Sequence, residues 1–342
     1  MSAAKITKIK SAADLKAWRS KLTPAADQLE IRVCVGGSCL ASGSREVEDS
    51  LRAALKAHNL DKKISIRETG CMGPCVRGPV LLVNSDQTFY QGVKPEDAEA
   101  IVCEHLIGGK PVERLLVRDD QTNAVQRTCS EIPFFSRQTK VALRTCGNVD
   151  PEKIEDAVAA GAYSALAKVL DDMKATDVLS QLQASGLRGR GGAGFPTHLK
   201  WMLTRQTPSE KKYVLCNGDE GDPGAYMDRS VLEGDPHSVI EGMAIAAFTI
   251  GADEGYVYVR AEYPLAVKRL QLAIDQARKC GLLGKKILGS DFAFDLDIRM
   301  GSGAFVCGEE TALITSIEAS VANLVHVRPS RHKRVYGASR RS

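Results

Sequence analysis

The apolar positions of the first third of the chain switch between two periods. Ile31-Arg32-Val33 alternates and leads into Cys34, which predicts a strand ending in the loop Val35-Gly36-Gly37-Ser38 before Cys39. From Glu46 to His58, Val47, Leu51, Ala54 and Leu55 fall on one face, the spacing of an amphipathic helix. Ile64-Ser65-Ile66 predicts a second strand, running into Gly70-Cys71-Met72-Gly73-Pro74-Cys75. Pro79 to Val83 and Thr88 to Tyr90 predict two more strands, and Pro95 to Ile107 a closing helix. The order β-α-β-β-β-α describes a small α/β domain.

A second series of elements follows a charged connector, Lys110 to Asp120. Val141 to Arg144 reads as a strand, Asp150-Pro151 opens a helix, and Ala157 to Lys168 and Asp177 to Gln183 read as further helices. Tyr213 to Cys216, Glu254 to Arg260 and Asp295 to Arg299 predict strands. Ser238 to Ile250 and Pro264 to Gly281 predict helices between them, the second ending at Lys279 and Gly281 as basic residues and a C-terminal glycine would dictate. Strands alternating with helices indicate an α/β domain.

Between two predicted helices lies Gly186-Leu187-Arg188-Gly189-Arg190-Gly191-Gly192-Ala193-Gly194-Phe195-Pro196-Thr197, with Lys200-Trp201 beyond it. Such a stretch exposes successive main-chain amides, and a helix starting near Pro196 aims its positive end at the same point. A phosphate is the ligand these features suit. The spacing Gly189-x-Gly191-x-x-Gly194 matches the dinucleotide fingerprint, but that fingerprint needs a strand before it, and a predicted helix stands there. The loop is therefore expected to bind phosphate without being a Rossmann turn.

The strand at Tyr213 empties into Asn217-Gly218-Asp219-Glu220-Gly221-Asp222-Pro223-Gly224-Ala225, the position where α/β folds place ligands. Its carboxylates and amide can read a ring edge or sugar hydroxyls; a magnesium site is the less favoured alternative. The strand at Asp295 empties into Gly301-Ser302-Gly303-Ala304-Phe305-Val306-Cys307-Gly308-Glu309-Glu310, where the two glutamates suit the first turn of a helix.

Composition adds constraints. Of 342 residues, 44% are hydrophobic and 26% charged, as in ordinary globular proteins, and the net charge of +4 implies no polyanionic partner. Met1 to Lys10 has no long apolar run, so no secretory signal is expected, and no stretch approaches the ~18 apolar residues of a membrane span. A cytoplasmic location is expected, with any membrane link made through a partner. Ten cysteines in such a chain point to metal ligation or free thiols. Cys34-x4-Cys39 and Cys71-x3-Cys75 stand on two loops, each just after a predicted strand. Four thiolates so placed can hold a [2Fe–2S] cluster or a structural zinc.

This cysteine pattern resembles the thioredoxin-like [2Fe–2S] ferredoxin domain. The three loops, carried by Gly189 to Trp201, Cys216 to Ala225 and Gly308 to Leu313, resemble in their order the FMN- and NADH-binding subunit of NADH dehydrogenase complexes. That family includes the 51 kDa-type flavoprotein of complex I and the beta subunits of NAD(P)-reducing hydrogenases and NAD-linked formate dehydrogenases. The resemblance implies a thioredoxin-like domain followed by a Rossmann-like α/β FMN-binding domain, with Cys34, Cys39, Cys71 and Cys75 as cluster ligands. It implies that Gly189, Arg190, Gly191, Lys200, Asn217, Asp219 and Glu220 hold FMN, with Phe305, Gly308 and Glu309. Phe195 is implied to stack on the adenine of the dinucleotide, while Asp222 and Glu310 line the nicotinamide pocket. The family often has tyrosine where Phe305 stands. The implied reaction is hydride transfer from NADH or NADPH to FMN, then release of single electrons to iron–sulfur clusters, with no side-chain acid or base required. Implied partners are other members of a redox complex: a ferredoxin subunit of the 24 kDa type, or the catalytic subunits of a hydrogenase or formate dehydrogenase. The rival reading is a non-enzymatic iron–sulfur or zinc docking module with an inactive flavin domain.

The expected boundaries are an arm over 1–28, the ferredoxin-type domain over 29–120, the flavin domain over 121–318 and an aberrant basic tail over 319–342. That tail holds six Lys or Arg and no acid. It would suit nucleic acid, but a frameshift accounts for it better. Ala319 to Leu324 can be written GCA AGC GTG GCG AAC CTC; one preceding G regroups it to encode the glycine, lysine, arginine, glycine, glutamate, proline of the family. Tyr336 to Ser342 regroups likewise into leucine, tryptophan, glycine, lysine, proline, threonine, valine, isoleucine. The expectation is a frameshifted chain lacking the family's C-terminal domains and [4Fe–4S] site, with impaired NADH oxidation.

Overall fold

The computed structural model describes residues 8–22, 29–222, 224–301 and 308–327, with 319–327 described by backbone alone. The contacts divide the chain into two units. One comprises Lys16–Ala162 with Ser230–His237, the other Met1–Leu15, Tyr163–Arg229 and Ser238–Ser342. The first unit thus extends past residue 120, and the segment 121–162 packs with the ferredoxin-type sheet.

That sheet has four strands in the order β2-β1-β3-β4: β1 Leu29–Cys34, β2 Ile64–Thr69, β3 Leu81–Val83 and β4 Thr88–Tyr90. β1 and β2 are parallel, registered from Leu29 opposite Ile64 to Cys34 opposite Thr69, whereas β3 and β4 join antiparallel. Between β1 and β2 runs α1, Ser44–Ala57, whose Val47, Leu51, Ala54 and Leu55 bury as their spacing predicts. They share a core with Ile31, Val33, Leu81, Tyr90, Ile101 and Val102. This is the thioredoxin-like arrangement expected from the sequence.

The closing segment departs from a plain α-helix. It runs as a 3-10 turn over Pro95–Asp97, a short α stretch over Ala98–Ala100 and a π-helix over Ile101–Ile107. Nothing in the sequence marks the widening. Val141 to Arg144 is not the predicted strand but a run of bends and turns: Val141 is 74% exposed, and Leu143 O accepts from Cys146 N. The helix foreseen at Asp150-Pro151 starts later, at Ile154, because Asp150 Oδ1 takes Glu152 N in a turn. Glycine matters most where β2 ends. A Cβ on Gly70 would lie 2.4 Å from Gly234 Cα, and one on Gly234 would lie 2.7 Å from Cys146 Sγ.

The second unit is built on three parallel strands in sequential order: β5 Tyr213–Gly218, β6 Glu254–Arg260 and β7 Asp295–Gly301. β6 is central and buried from Gly255 to Val259. The helices Met227–Gly234 and Pro236–Ile250 connect β5 to β6, and Pro264–Cys280 connects β6 to β7, ending at Gly281 with φ 76° as the sequence predicts. The single helix expected over Ala157 to Lys168 is two, Ile154–Ala159 and Ser164–Asp172, interrupted at Gly161 (φ 106°) and Tyr163 (φ 64°). The restart has a clear cause. Glu241, buried on the helix Pro236–Ile250, accepts from the amides of Tyr163, Ala165 and Leu166 at 2.8, 2.8 and 3.0 Å.

The first amides of a helix lack intrahelical acceptors, and Glu241 supplies acceptors for these three. Glu241→Ala is expected to lower unfolding stability by about 1–3 kcal/mol, because it strands buried donors. Urea denaturation followed by far-UV circular dichroism measures it, and a midpoint equal to wild type would contradict the capping role.

Candidate functional site

The parallel register of β1 and β2 fixes the cysteine site. Cys34 ends β1, and β2 ends one position before Gly70-Cys71, so the two cysteine loops leave the same edge of adjacent strands. Cys34 and Cys39 are buried, Cys71 half-buried and Cys75 exposed. Cys34 touches both Cys39 and Cys71, and Cys71 Sγ stands 3.6 Å from Cys75 Sγ. The Cys34 thiol is pushed up to about 12, first by Cys39. Contact with Cys34 raises the Cys71 thiol too, and lowers that of Cys39.

Cys39 also feels the charges of Cys71 and Cys75, so the four thiols form one cluster. Thiolates on one tetrahedral ion with ~2.3 Å bonds sit about 3.8 Å apart. Four thiols carried on two loops match the donor set of a two-iron cluster. The surroundings are equally tight: a Cβ on Gly78 would lie 3.0 Å from Cys39 Sγ, and one on Gly36 would lie 3.0 Å from Cys71 Cβ. The donor set thus fits a [2Fe–2S] group, which requires all four thiols deprotonated.

In the second unit the glycine loop joins two helices, Ala175–Ser185 and Thr197–Gln206, as predicted, so it is not a Rossmann turn. Its neck is closed by the pairing of Arg188 with Pro196, by Gly189 N on Phe195 O (2.9 Å) and by Thr197 N on Leu187 O (3.0 Å). Arg188 Nη1 also donates to Gly194 O at 3.0 Å. Gly192 and Gly194 take φ of 103° and 61°, and a Cβ on Gly191, Gly192 or Gly194 would meet nothing within 4 Å. The result is a closed loop of amides facing open space, with Arg190 exposed and Phe195 46% exposed beside it. An anion can approach this main chain.

The other two loops meet it. Both follow parallel strands and so emerge at one edge of the sheet. Asn217 Nδ2 donates to Gly308 O at 2.8 Å and Asn217 Oδ1 accepts from Asp219 N at 3.1 Å. Lys200, from the helix after the glycine loop, pairs with Glu310, the first residue of the helix Glu310–Val327. Gly308 lies against the Asp219 backbone: a Cβ there would be 3.1 Å from Asp219 O.

The carboxylates divide by function. Glu220 accepts from the amides of Met227, Asp228 and Arg229, capping the helix Met227–Gly234. Glu309 accepts from Thr311 and Ala312 N, which cap the next helix and hold its carboxyl below the usual range. Asp222 is exposed. Asp219 differs: both carboxylate oxygens are buried without a hydrogen-bond partner among the described residues. Burial raises its carboxyl, against the pull of Arg260. Such a group, beside Gly308 on a loop at the edge of the sheet, wants a donor that the described residues do not supply. The ring edge of a flavin, which carries such a donor, fits it. Phe305 lies outside the described residues.

Sequence reasoning overlooked Arg260. It ends β6 at the same edge, donates through Nη1 to Glu220 O at 3.0 Å, and has a buried Nε without a partner among the described residues. The available signal was a cation terminating an otherwise apolar strand.

Two family models match the chain: the thioredoxin-like [2Fe–2S] ferredoxin over residues 21–105, and the Nuo51 FMN-binding domain over residues 182–335. The NADP-reducing hydrogenase subunit HndC of Solidesulfovibrio fructosivorans is 58% identical over 182 residues, 53% of this chain and 37% of that protein. An NADH-quinone oxidoreductase subunit of Aquifex aeolicus is 47% identical over 194 residues, 56% of this chain and 45% of that protein. A solved thioredoxin-like [2Fe–2S] ferredoxin from Aquifex aeolicus is 37% identical, covering 30% of this chain and all of its own, with a TM-score of 0.26. The chain spans less than half the length of these two curated relatives. Residues 21–105 belong to the thioredoxin-like [2Fe–2S] ferredoxins and residues 182–335 to the Nuo51 FMN-binding domain family.

Proposed function

We propose that the chain is an NAD(P)H-oxidising electron-transfer flavoprotein subunit, with FMN in the second unit and one [2Fe–2S] cluster in the first. The observation that carries it is the buried Asp219 carboxylate, unpartnered among the described residues, on the loop that Asn217 ties to Gly308. Bound FMN would accept a hydride from NADH or NADPH, and the iron–sulfur cluster would take up electrons singly.

The chain's own residues bind and orient. The amides of Gly189 to Gly194, with Arg190 and Lys200, hold the flavin phosphate; the pairing of Lys200 with Glu310 positions the ammonium group at the loop. Asn217 braces the second loop on the third through Gly308, and Asp219 accepts from the ring edge. Phe195 offers a half-exposed face for the adenine. Glu220 and Glu309 act through the backbone, by fixing the helices on which the pocket rests. Cys34, Cys39, Cys71 and Cys75 ligate the cluster. The protein works in a cytoplasmic redox complex with hydrogenase, formate dehydrogenase or ferredoxin-type partners; among the described residues no helix is long and apolar enough to cross a membrane.

Added FMN is expected to lose its fluorescence on binding, and Lys200→Ala to raise the flavin Kd about 10- to 100-fold, the worth of one charge-assisted contact. Absence of quenching in the wild-type chain would overturn the proposal. Anaerobic bleaching of bound flavin by NADH or NADPH then identifies the donor.

A pH effect follows from Asp219. Its folded-state carboxyl titrates above the ordinary 3.8 because of burial. The folded protein therefore holds an extra proton between those two values, and the associated stability is lost as pH rises through the raised value. Asp219→Asn is expected to stabilise the flavin-free protein at neutral pH while weakening FMN binding. Urea midpoints at neutral and mildly acid pH, alongside flavin titration, test it; a variant less stable at neutral pH would contradict it.

A further inference from the structure

The ferredoxin-type domain carries a second cluster of ligating side chains, separate from the four cysteines. His58 caps the C-terminal end of α1, while Glu99 and Cys103 sit one turn apart on the closing helix. His58 Nε2 is 2.7 Å from Glu99 Oε1, and Cys103 Sγ lies 3.4 Å from the first and 3.3 Å from the second. All three donor atoms fall within 4.8 Å of one another.

Both supporting elements are rigid where they meet. Leu51, Ala54 and Leu55 of α1 and Ile101 and Val102 of the closing helix belong to one buried cluster. The backbone at His58 is fixed by its own amide on Ala54 O at 3.1 Å. His58 and Cys103 are half-buried and Glu99 is exposed, so an ion can enter from solvent.

The donor chemistry selects the ion. A tetrahedral zinc with bonds of about 2.3 Å to sulfur and ~2.0 Å to nitrogen and oxygen has ligand–ligand edges of about 3.3–3.6 Å. The two edges to Cys103 match; the edge from His58 to Glu99 need only open by about 0.6 Å. Thiolate and imidazole together disfavour magnesium and calcium, which take oxygen ligands.

We propose that His58, Glu99 and Cys103 form a zinc site, completed by one water, that clamps α1 to the closing helix. Binding replaces the S–H bond of Cys103 with a sulfur–zinc bond and releases the thiol proton to solvent; no electrons move. The site requires no flavin and no nucleotide, so it stands or falls independently of the function proposed above.

The test uses the full chain with its iron–sulfur cluster reconstituted, titrated with Zn²⁺ against a chromophoric chelator. One equivalent of zinc is expected to bind without loss of the cluster absorbance. His58→Ala, Glu99→Gln and Cys103→Ser should each weaken binding by more than about tenfold. Glu104→Gln, an exposed neighbour on the same helix, should not. Co²⁺ in place of zinc should give the visible bands of a tetrahedral site and a thiolate charge-transfer band that Cys103→Ser removes. Zinc binding unchanged in His58→Ala and Cys103→Ser, or a thiolate band that survives Cys103→Ser, would overturn the proposal. So would zinc uptake that occurs only as the cluster is lost.

Discussion

Parallel strand pairing is the constraint on which both sites rest. Two adjacent parallel strands end at the same edge, so whatever follows them is brought together without any interaction between the loops themselves. In the first unit this joins Cys34 to Cys71, because Cys34 is opposite Thr69. In the second, β5 and β7 flank β6 and run parallel to it, so their C-terminal ends lie at one edge. A sheet with β2 or β7 reversed would keep every motif and lose the site that strand supports.

On that frame, the polar residues fall into two classes. Glu220, Glu241 and Glu309 direct their oxygens to helix amides, and their energetic role is local. Asp219 has no such obligation, and it is the one carboxylate of its loop that is both buried and unpartnered among the described residues. Burial of a bare carboxylate costs stability, and that cost at a loop edge is what the proposed binding role of Asp219 would account for. The glycine loop shows the converse: its neck is tied by main-chain bonds, while a side chain added at Gly191, Gly192 or Gly194 of its tip would meet only open space.

Much of this could be read from the chain. The two-residue period of Ile31 and Val33 and the helical period of Val47, Leu51 and Leu55 are local properties, and the structure follows them. So does the helix before the glycine loop, which rules out a Rossmann turn. The failures have physical causes. Val141 to Leu143 is apolar enough for a strand but has no partner strand, and folds into turns. Gly161 and Tyr163 break a helix because a carboxylate far along the chain, Glu241, caps the next one. A carboxylate that caps a helix and one that awaits a ligand look alike in sequence; only their oxygens' partners separate Glu220 from Asp219. His58 and Glu99 are 41 residues apart, and no spacing rule connects them.

The meeting of Gly70 with Gly234 has a wider consequence. The bend that presents Cys71 is backed by main chain contributed from a distant part of the sequence, with no space for even a methyl group. Closing so long a loop is entropically slow and late. The bend that presents Cys71 therefore acquires this backing only once the chain has been synthesised as far as Gly234.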